Sequence, residues 1–445
     1  MFSCFLALAL AQEMPVAPPE STWKPKVTLS GRIGGYYAYR EGALEESRGN
    51  LNSASGGLAD TDFFSGRISV RLEAQVQPTI RGVIELSNKP YGAGSNHPFG
   101  QDAVEAFVEQ GYAEVRSFLT PKLTFRAGIQ DVKLNLRPHA DSFFLDVAHA
   151  ESFYSGAVFG ATSSFVRTTA DRDLSEAAGV KFLYDAEEFL TLHAFAGAVR
   201  EAGAPSKDEG LFYAYGNLWI PETVSCFLLL ALVSGPAHES QVFTLGLGAN
   251  GYVKPWLEAF GESYYQFGSL DADTGKQAWG VQLGARAWML SWFFEVAFAY
   301  RSGDEDALDG TDGSFQSYES SDQFLVVESA DVGMDWDTNV RSLCFTVGVQ
   351  SADLGGAFGN VTVRLDAALF HFNEELRSST GSVLLGGSDD AIGNEIDLSV
   401  LWAYDEALTF QLRGGALFGS DVLEKLTASG DRSALALVMG GSLRF

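Results

Sequence analysis

The sequence predicts an all-β protein, a transmembrane antiparallel β-barrel of about 18 strands with short periplasmic turns and long extracellular loops. Three observations predict it. From residue 27 onward, apolar residues recur with a period of two, which belongs to strands and not to helices. Long and short connectors alternate along the chain, as they do when every tight turn lies at one end of a barrel and every long loop at the other. The longest strictly apolar runs, Cys4 to Ala11 and Cys226 to Val233, are eight residues, whereas a membrane-spanning helix needs ~20.

The first dozen residues, MFSCFLALALAQ, end their apolar stretch in Ala9-Leu10-Ala11, a small-x-small pattern suited to signal-peptidase cleavage. Residues 1–11 therefore read as a signal-peptide remnant whose basic start lies upstream. Residues 12–26 hold four of the thirteen prolines and read as a periplasmic tether. Residues 27–445 are the barrel. Its strands are expected near Val27, Phe63, Ile80, Val104, Lys122, Ala177, Phe189, Gly210, Thr223, Gln241, Trp256, Gln277, Ser291, Thr338, Gly359, Ile392, Ala407 and Ser433. Long connectors follow mostly the odd-numbered strands, for example 135–176 and 303–337. Tight turns such as Val253 to Pro255 follow the even ones. Prolines beyond residue 26 fall in connectors or at strand ends, because Pro cannot donate to a ladder.

The alternation also assigns faces. In the closing segment Leu435, Leu437, Met439, Leu443 and Phe445 form one greasy face, while Ala434, Ala436, Gly440, Ser442 and Arg444 belong to the other. A Lys or Arg on the lipid face near the midplane costs roughly 2–4 kcal/mol, so mid-strand charges should face the lumen. Aromatics at strand ends, among them Tyr36, Tyr37, Tyr39, Phe63, Phe64, Tyr264, Tyr265, Trp292, Trp402, Tyr404 and Phe418, suit the girdles at the two membrane surfaces. Phasing the strands by charge sends thirteen bases and ten acids inward, a nearly neutral and slightly basic wall. The candidate solute-binding residues are Arg32, Arg67, Arg71, Arg81, Arg126, Arg286, Arg364 and Arg413, since guanidinium groups match carboxylates in bidentate geometry.

The chain as a whole is acidic, with 57 Asp and Glu against 30 Lys and Arg and a formal charge of −27, which argues against nucleic acid as a partner. The excess sits in loops. Residues 303–337 alone carry eleven acids and no base, and Asp304, Asp306, Asp309 and Gly310 imitate a calcium loop only imperfectly. This connector reads as a solvated external loop. A barrel of this size encloses a channel too wide for wall side chains to fill, so a loop must narrow it. The loop after the fifth strand, with Arg137, His139, Asp141, Asp146, His149 and Glu151, is the candidate.

Enzyme motifs are absent in substance. Gly246-Leu247-Gly248-Ala249-Asn250-Gly251 matches GxGxxG but lies inside a strand and does not open a helix. Six scattered histidines offer no paired metal spacing. The reading is therefore of a protein that is not an enzyme and needs no cofactor or metal.

The stretch Gly393-Asn394-Glu395-Ile396-Asp397-Leu398, with Tyr404, Leu408 to Leu412, Gly415 and Phe418-Gly419, resembles the end of the alginate-export family of bacterial outer-membrane β-barrel proteins. Tyr112 to Val115 followed by Leu123 to Gln130 resembles that family's paired strands, with Ile129 in place of an Arg. The terminal Phe445 is similar to the assembly signal of outer-membrane barrels. The resemblance implies a porin-like monomeric channel of eighteen strands in the bacterial outer membrane, among lipid and lipopolysaccharide. Two functions follow: export of an anionic, alginate-like polysaccharide, with periplasmic export partners, or passive or sugar-selective uptake of small hydrophilic solutes.

Overall fold

Strands with one apolar face and one small or polar face can be satisfied in lipid only when their ladder closes on itself, and this ladder does. In the computed structural model eighteen strands pair in sequence order, each antiparallel to the next. They are β1 Lys26–Glu41, β2 Thr61–Gln77, β3 Ile80–Asn88, β4 Ala106–Val115, β5 Leu123–Gln130 and β6 Ala177–Asp185. Next come β7 Leu190–Arg200, β8 Glu209–Ile220, β9 Val224–Gly235, β10 Ser240–Lys254, β11 Leu257–Ser269 and β12 Gly275–Met289. The last six are β13 Trp292–Arg301, β14 Val340–Ser351, β15 Asn360–Phe372, β16 Ala391–Ala403, β17 Leu408–Phe418 and β18 Ser433–Arg444. The structure describes residues 23–41, 61–88, 106–130, 177–186, 189–200, 209–220, 224–235, 240–304, 309–315, 324–328, 338–351, 359–374, 376–377, 383–385, 391–421, 424 and 432–445. The signal remnant, the tether up to residue 22 and the loop after the fifth strand lie outside the described residues.

The seam is β1 against β18, in register from Arg32↔Arg444 to Glu41↔Leu435. The terminal residue completes it: Gly31 donates its N–H to the Phe445 carbonyl at 2.9 Å, and Phe445 donates back at 3.0 Å. A Cβ at Gly31 would stand 2.5 Å from Phe445 Cζ and 2.7 Å from the Ser69 carbonyl oxygen, so a larger residue there would force the ring and the strand to shift. Closure leaves no strand edge with orphan donors, which in hydrocarbon would cost several kcal/mol apiece.

Parity then sorts the side chains. On β2, Ile68, Val70 and Leu72 are exposed outward, while Ser69, Arg71 and Glu73 turn inward. On β9, Leu228 and Leu230 face out and Leu229, Ala231 and Val233 are buried inside. The greasy face of β18 is outward, as its alternation requires. Trp256, Trp292 and Tyr404 stand on the outside near the short turns, and Trp279 and Phe418 near the opposite rim. Arg341 turns outward one residue from the rim end of β14, between Tyr300 and His371 on the flanking strands. At that depth a base meets headgroups and its cost falls to about 0–1 kcal/mol.

Among the described side chains, Tyr264 departs from the expected girdle. It shares the parity of Glu262 and Gln266, faces inward, is 1% exposed and donates to Glu262 Oε2 at 2.7 Å. Its place is set by the period of the strand and not by its ring.

Two predictions follow from this geometry. Leu283 lies mid-strand on the lipid face of β12, so Leu283→Arg should lower stability by roughly 2–4 kcal/mol in urea unfolding from lipid vesicles. Leu290 is 97% exposed at the tip of the β12–β13 turn. A cysteine there should react with an impermeant maleimide only after the outer membrane is opened, and labelling on intact cells would invert the topology.

Candidate functional site

The inner wall of β2 to β5 is an interlocked charge cluster. Cross-strand register sets Arg71 opposite Glu85, Arg81 opposite Glu114, and Glu114 opposite Arg126. Opposite charges directly across a ladder stabilise it, which is why the alternation of sign reads from strand to strand. Glu114, buried on β4, accepts from Arg81 Nε at 2.7 Å and Nη2 at 3.0 Å, from Arg126 Nη2 at 2.8 Å and from Arg116 Nε at 2.9 Å. Arg81 also reaches Glu73 at 3.1 Å. Arg71 donates to Glu85 at 3.0 Å and to Gln110 Oε1 at 3.2 Å. The Arg126 guanidinium stacks 4.3 Å above the Tyr112 ring.

The alternation breaks at β6, where Lys181 stands directly opposite Arg126. Among the described residues of β2 to β5, four arginines (Arg71, Arg81, Arg116 and Arg126) thus meet three acids (Glu73, Glu85 and Glu114). Beyond Lys181 the wall turns aromatic. His193, Tyr215, Phe227, Tyr264 and Phe315 follow one another at centroid separations of 5.6 to 6.3 Å.

Arg286, Arg364 and Arg413 lie on other strands, apart from this cluster. Arg286 pairs with Glu295 on the neighbouring strand, and Arg364 Nε donates to Asp366 at 2.8 Å. Arg413 sits 3.7 Å from Asp397 with 8% of its side chain exposed. Arg32 faces inward on β1 across from Arg444. Of Arg67 only the register position is described, opposite Gly34. Exposure separates the roles: Arg71 and Arg364 keep 29% and 32% of their side chains accessible to water, whereas Arg413 is covered.

Asp397, the partner of Arg413, also accepts from Leu325 of the acidic connector after β13, and here the sequence reading needs correction. Of its described parts, Phe315 and residues 324–328 are not solvated outside the barrel, while Asp309 and Gly310 stay exposed. Phe315 packs on Tyr264, and Phe324, Leu325, Val326 and Val327 are fully buried against Phe370, Ile392, Leu417, Ala434 and Ala436 of the inner wall. The bend at residues 309–315 is fastened by Lys276, which pairs with Asp312 at 3.3 Å and bonds the Ser314 carbonyl. Asp304 accepts from the Gly313 N–H at 3.4 Å, and burial, reinforced by the nearby Asp312, raises its pKa. Asp309, from the calcium-like run, accepts from the Thr311 N–H at 2.7 Å, and Asp306 lies outside the described residues. The signal for the inward fold was the run Phe324-Leu325-Val326-Val327, an apolar tetrad inside an otherwise acidic connector.

No protein-family model matches the sequence, and no curated protein matches it either. Solved structures do. The chain shares its fold with porin-like barrels of Pseudomonas aeruginosa. OpdH (OccK5) is 10% identical, with a TM-score of 0.55 over 94% of this chain and 98% of that one. OpdK, solved with vanillate, is 14% identical, with a TM-score of 0.55 over 94% and 99%. OpdO (OccK3) is 11% identical, with a TM-score of 0.56 over 94% and 95%. The fold is thus that of a porin-like outer-membrane barrel, and the resemblance to alginate-export barrels rests on its quoted motifs alone.

Glu114 is the shared counter-ion of three arginines. Glu114→Gln should strip the wall of a negative charge, shift zero-current potentials further toward anions, and destabilise the barrel by up to about 3–5 kcal/mol, the usual cost of orphaning buried charge. An unchanged potential and unfolding midpoint would show that the cluster is electrostatically inert.

Proposed function

We propose that the protein is a passive, solute-selective uptake porin of the outer membrane, passing small hydrophilic anions and foremost carboxylates. The observation that carries this is where water reaches the wall: among the described inward charges, the arginine-rich set on β2 to β5, Arg286 and Arg364 keep accessible side chains, and in the β2 to β5 set four arginines meet three acids. A guanidinium already held by a carboxylate keeps free donors, so it offers a passing carboxylate an exchangeable and therefore weak site. Conduction needs sites of that kind, favourable enough to enter and weak enough to leave.

OpdK, one of the structures similar in fold, was solved with vanillate, itself a carboxylate. Polysaccharide export is the less favoured reading, because a hydrated polyuronate would have to thread past the segment 324–328 folded against the inner wall. On the uptake reading residues 1–11 serve as an export signal, 12–26 as a tether, and the barrel works as a single chain among lipid and lipopolysaccharide.

The test is permeation into proteoliposomes. Small carboxylates should enter faster than uncharged sugars of equal size, and Arg71→Gln combined with Arg364→Gln should reduce that preference roughly 5- to 10-fold, since charge-assisted contacts are the stronger ones. Equal rates for acids and sugars in the unmodified protein would contradict the proposal.

A further inference from the structure

Glu395 and Asp397 stand two residues apart on the inner face of β16, 0% and 1% exposed. Three consecutive amides of the connector after β13 point at them. Leu325 N–H donates to Asp397 Oδ2 at 2.7 Å, Val326 N–H to Glu395 Oε1 at 2.5 Å and Val327 N–H to Glu395 Oε2 at 2.9 Å. Residues 324–328 form one turn, closed where Glu328 N–H donates to the Phe324 carbonyl at 3.2 Å, so these amides have no acceptor inside it. Glu328 in turn accepts from Phe324 N–H at 3.2 Å and pairs with Arg301 at 3.6 Å.

The wall is shaped to receive the turn. Gly393 adopts φ +141°, and the register slips between Phe370 and His371, a bulge that leaves Ile392 facing inward beside the carboxylates. Phe324 meets the Phe370 ring edge-on at 5.1 Å.

We propose that Glu395 and Asp397 are positioning residues that set the bore of the channel, and with it the size of solute admitted, by pinning residues 324–328 to the inner wall. The inference rests on the pore reading above. An asymmetry carries it. Without the turn, both carboxylates become lumen groups that water can solvate. Without the carboxylates, the amides become unsatisfied donors in apolar surroundings, which is the expensive outcome. Loss of the acceptors therefore expels the turn and leaves the barrel closed.

The experiment compares three forms of the full chain in planar bilayers and proteoliposomes: unmodified, E395Q/D397N, and V326P. The first variant turns one oxygen of each carboxylate into an NH2 group, and because both oxygens of Glu395 accept amides, a donor there must face a donor. The second removes one of the loop's own N–H groups and leaves the charge of the wall unchanged. Both should raise single-channel conductance about twofold and admit larger neutral oligosaccharides. Because they break one contact, their combination should exceed neither alone. Heat-shifted gel migration reports whether the barrel is closed. Where E395Q/D397N fails to close, V326P decides alone.

Closed barrels with unmodified conductance and size limit overturn the proposal. So does a rise in E395Q/D397N that V326P lacks, since that would be an effect of charge and not of pinning. An unmodified chain that closes but conducts nothing would defeat the pore reading and this inference with it.

Discussion

Every backbone amide of a chain in hydrocarbon must find its acceptor within the chain, and the rest of this structure depends on that constraint. Eighteen strands meet it by closing one continuous ladder, finished by the reciprocal bonds between Gly31 and Phe445. Once the ladder is closed, the period of two has only two destinations, lipid and lumen. An outward Leu283 and an inward Arg286 on the same strand are two results of one condition.

Confining charge to the interior creates a second demand, because bases taken from bulk water need partners. The cross-strand pairs around Glu114 supply them, with four arginines on β2 to β5 meeting three acids among the described residues. The opposite arc of the wall solves the same problem differently. There, buried acids find donors in the backbone of a connector, and the connector fills space that wall side chains cannot. On the proposed reading, selectivity and bore arise on different arcs of one ladder.

Strand positions and faces were legible in the sequence because each depends on a local alternation imposed by the bilayer. All eighteen expected starts fall within about two residues of a strand. Tyr264 was legible too, by its parity with Glu262, but the aromatic ring outweighed parity in the reading. The inward fold of residues 324–328 was not legible, because eleven acids in the connector dominate its composition and the tetrad Phe324 to Val327 is short. Nor could spacing reveal that Glu395 and Asp397 hold backbone amides, since their partners lie about 70 residues earlier. Pairing across such distances depends on which loop folds inward, and no local period encodes that.

The central claim is that the arginine-bearing arc lines the conducting path. The most direct measurement is the zero-current potential of the unmodified protein in a planar bilayer under a tenfold potassium chloride gradient. The account predicts a potential of the sign set by chloride, shrinking as salt is raised and the wall charges are screened. A potential of the sign set by potassium would place the current on another path and contradict the account.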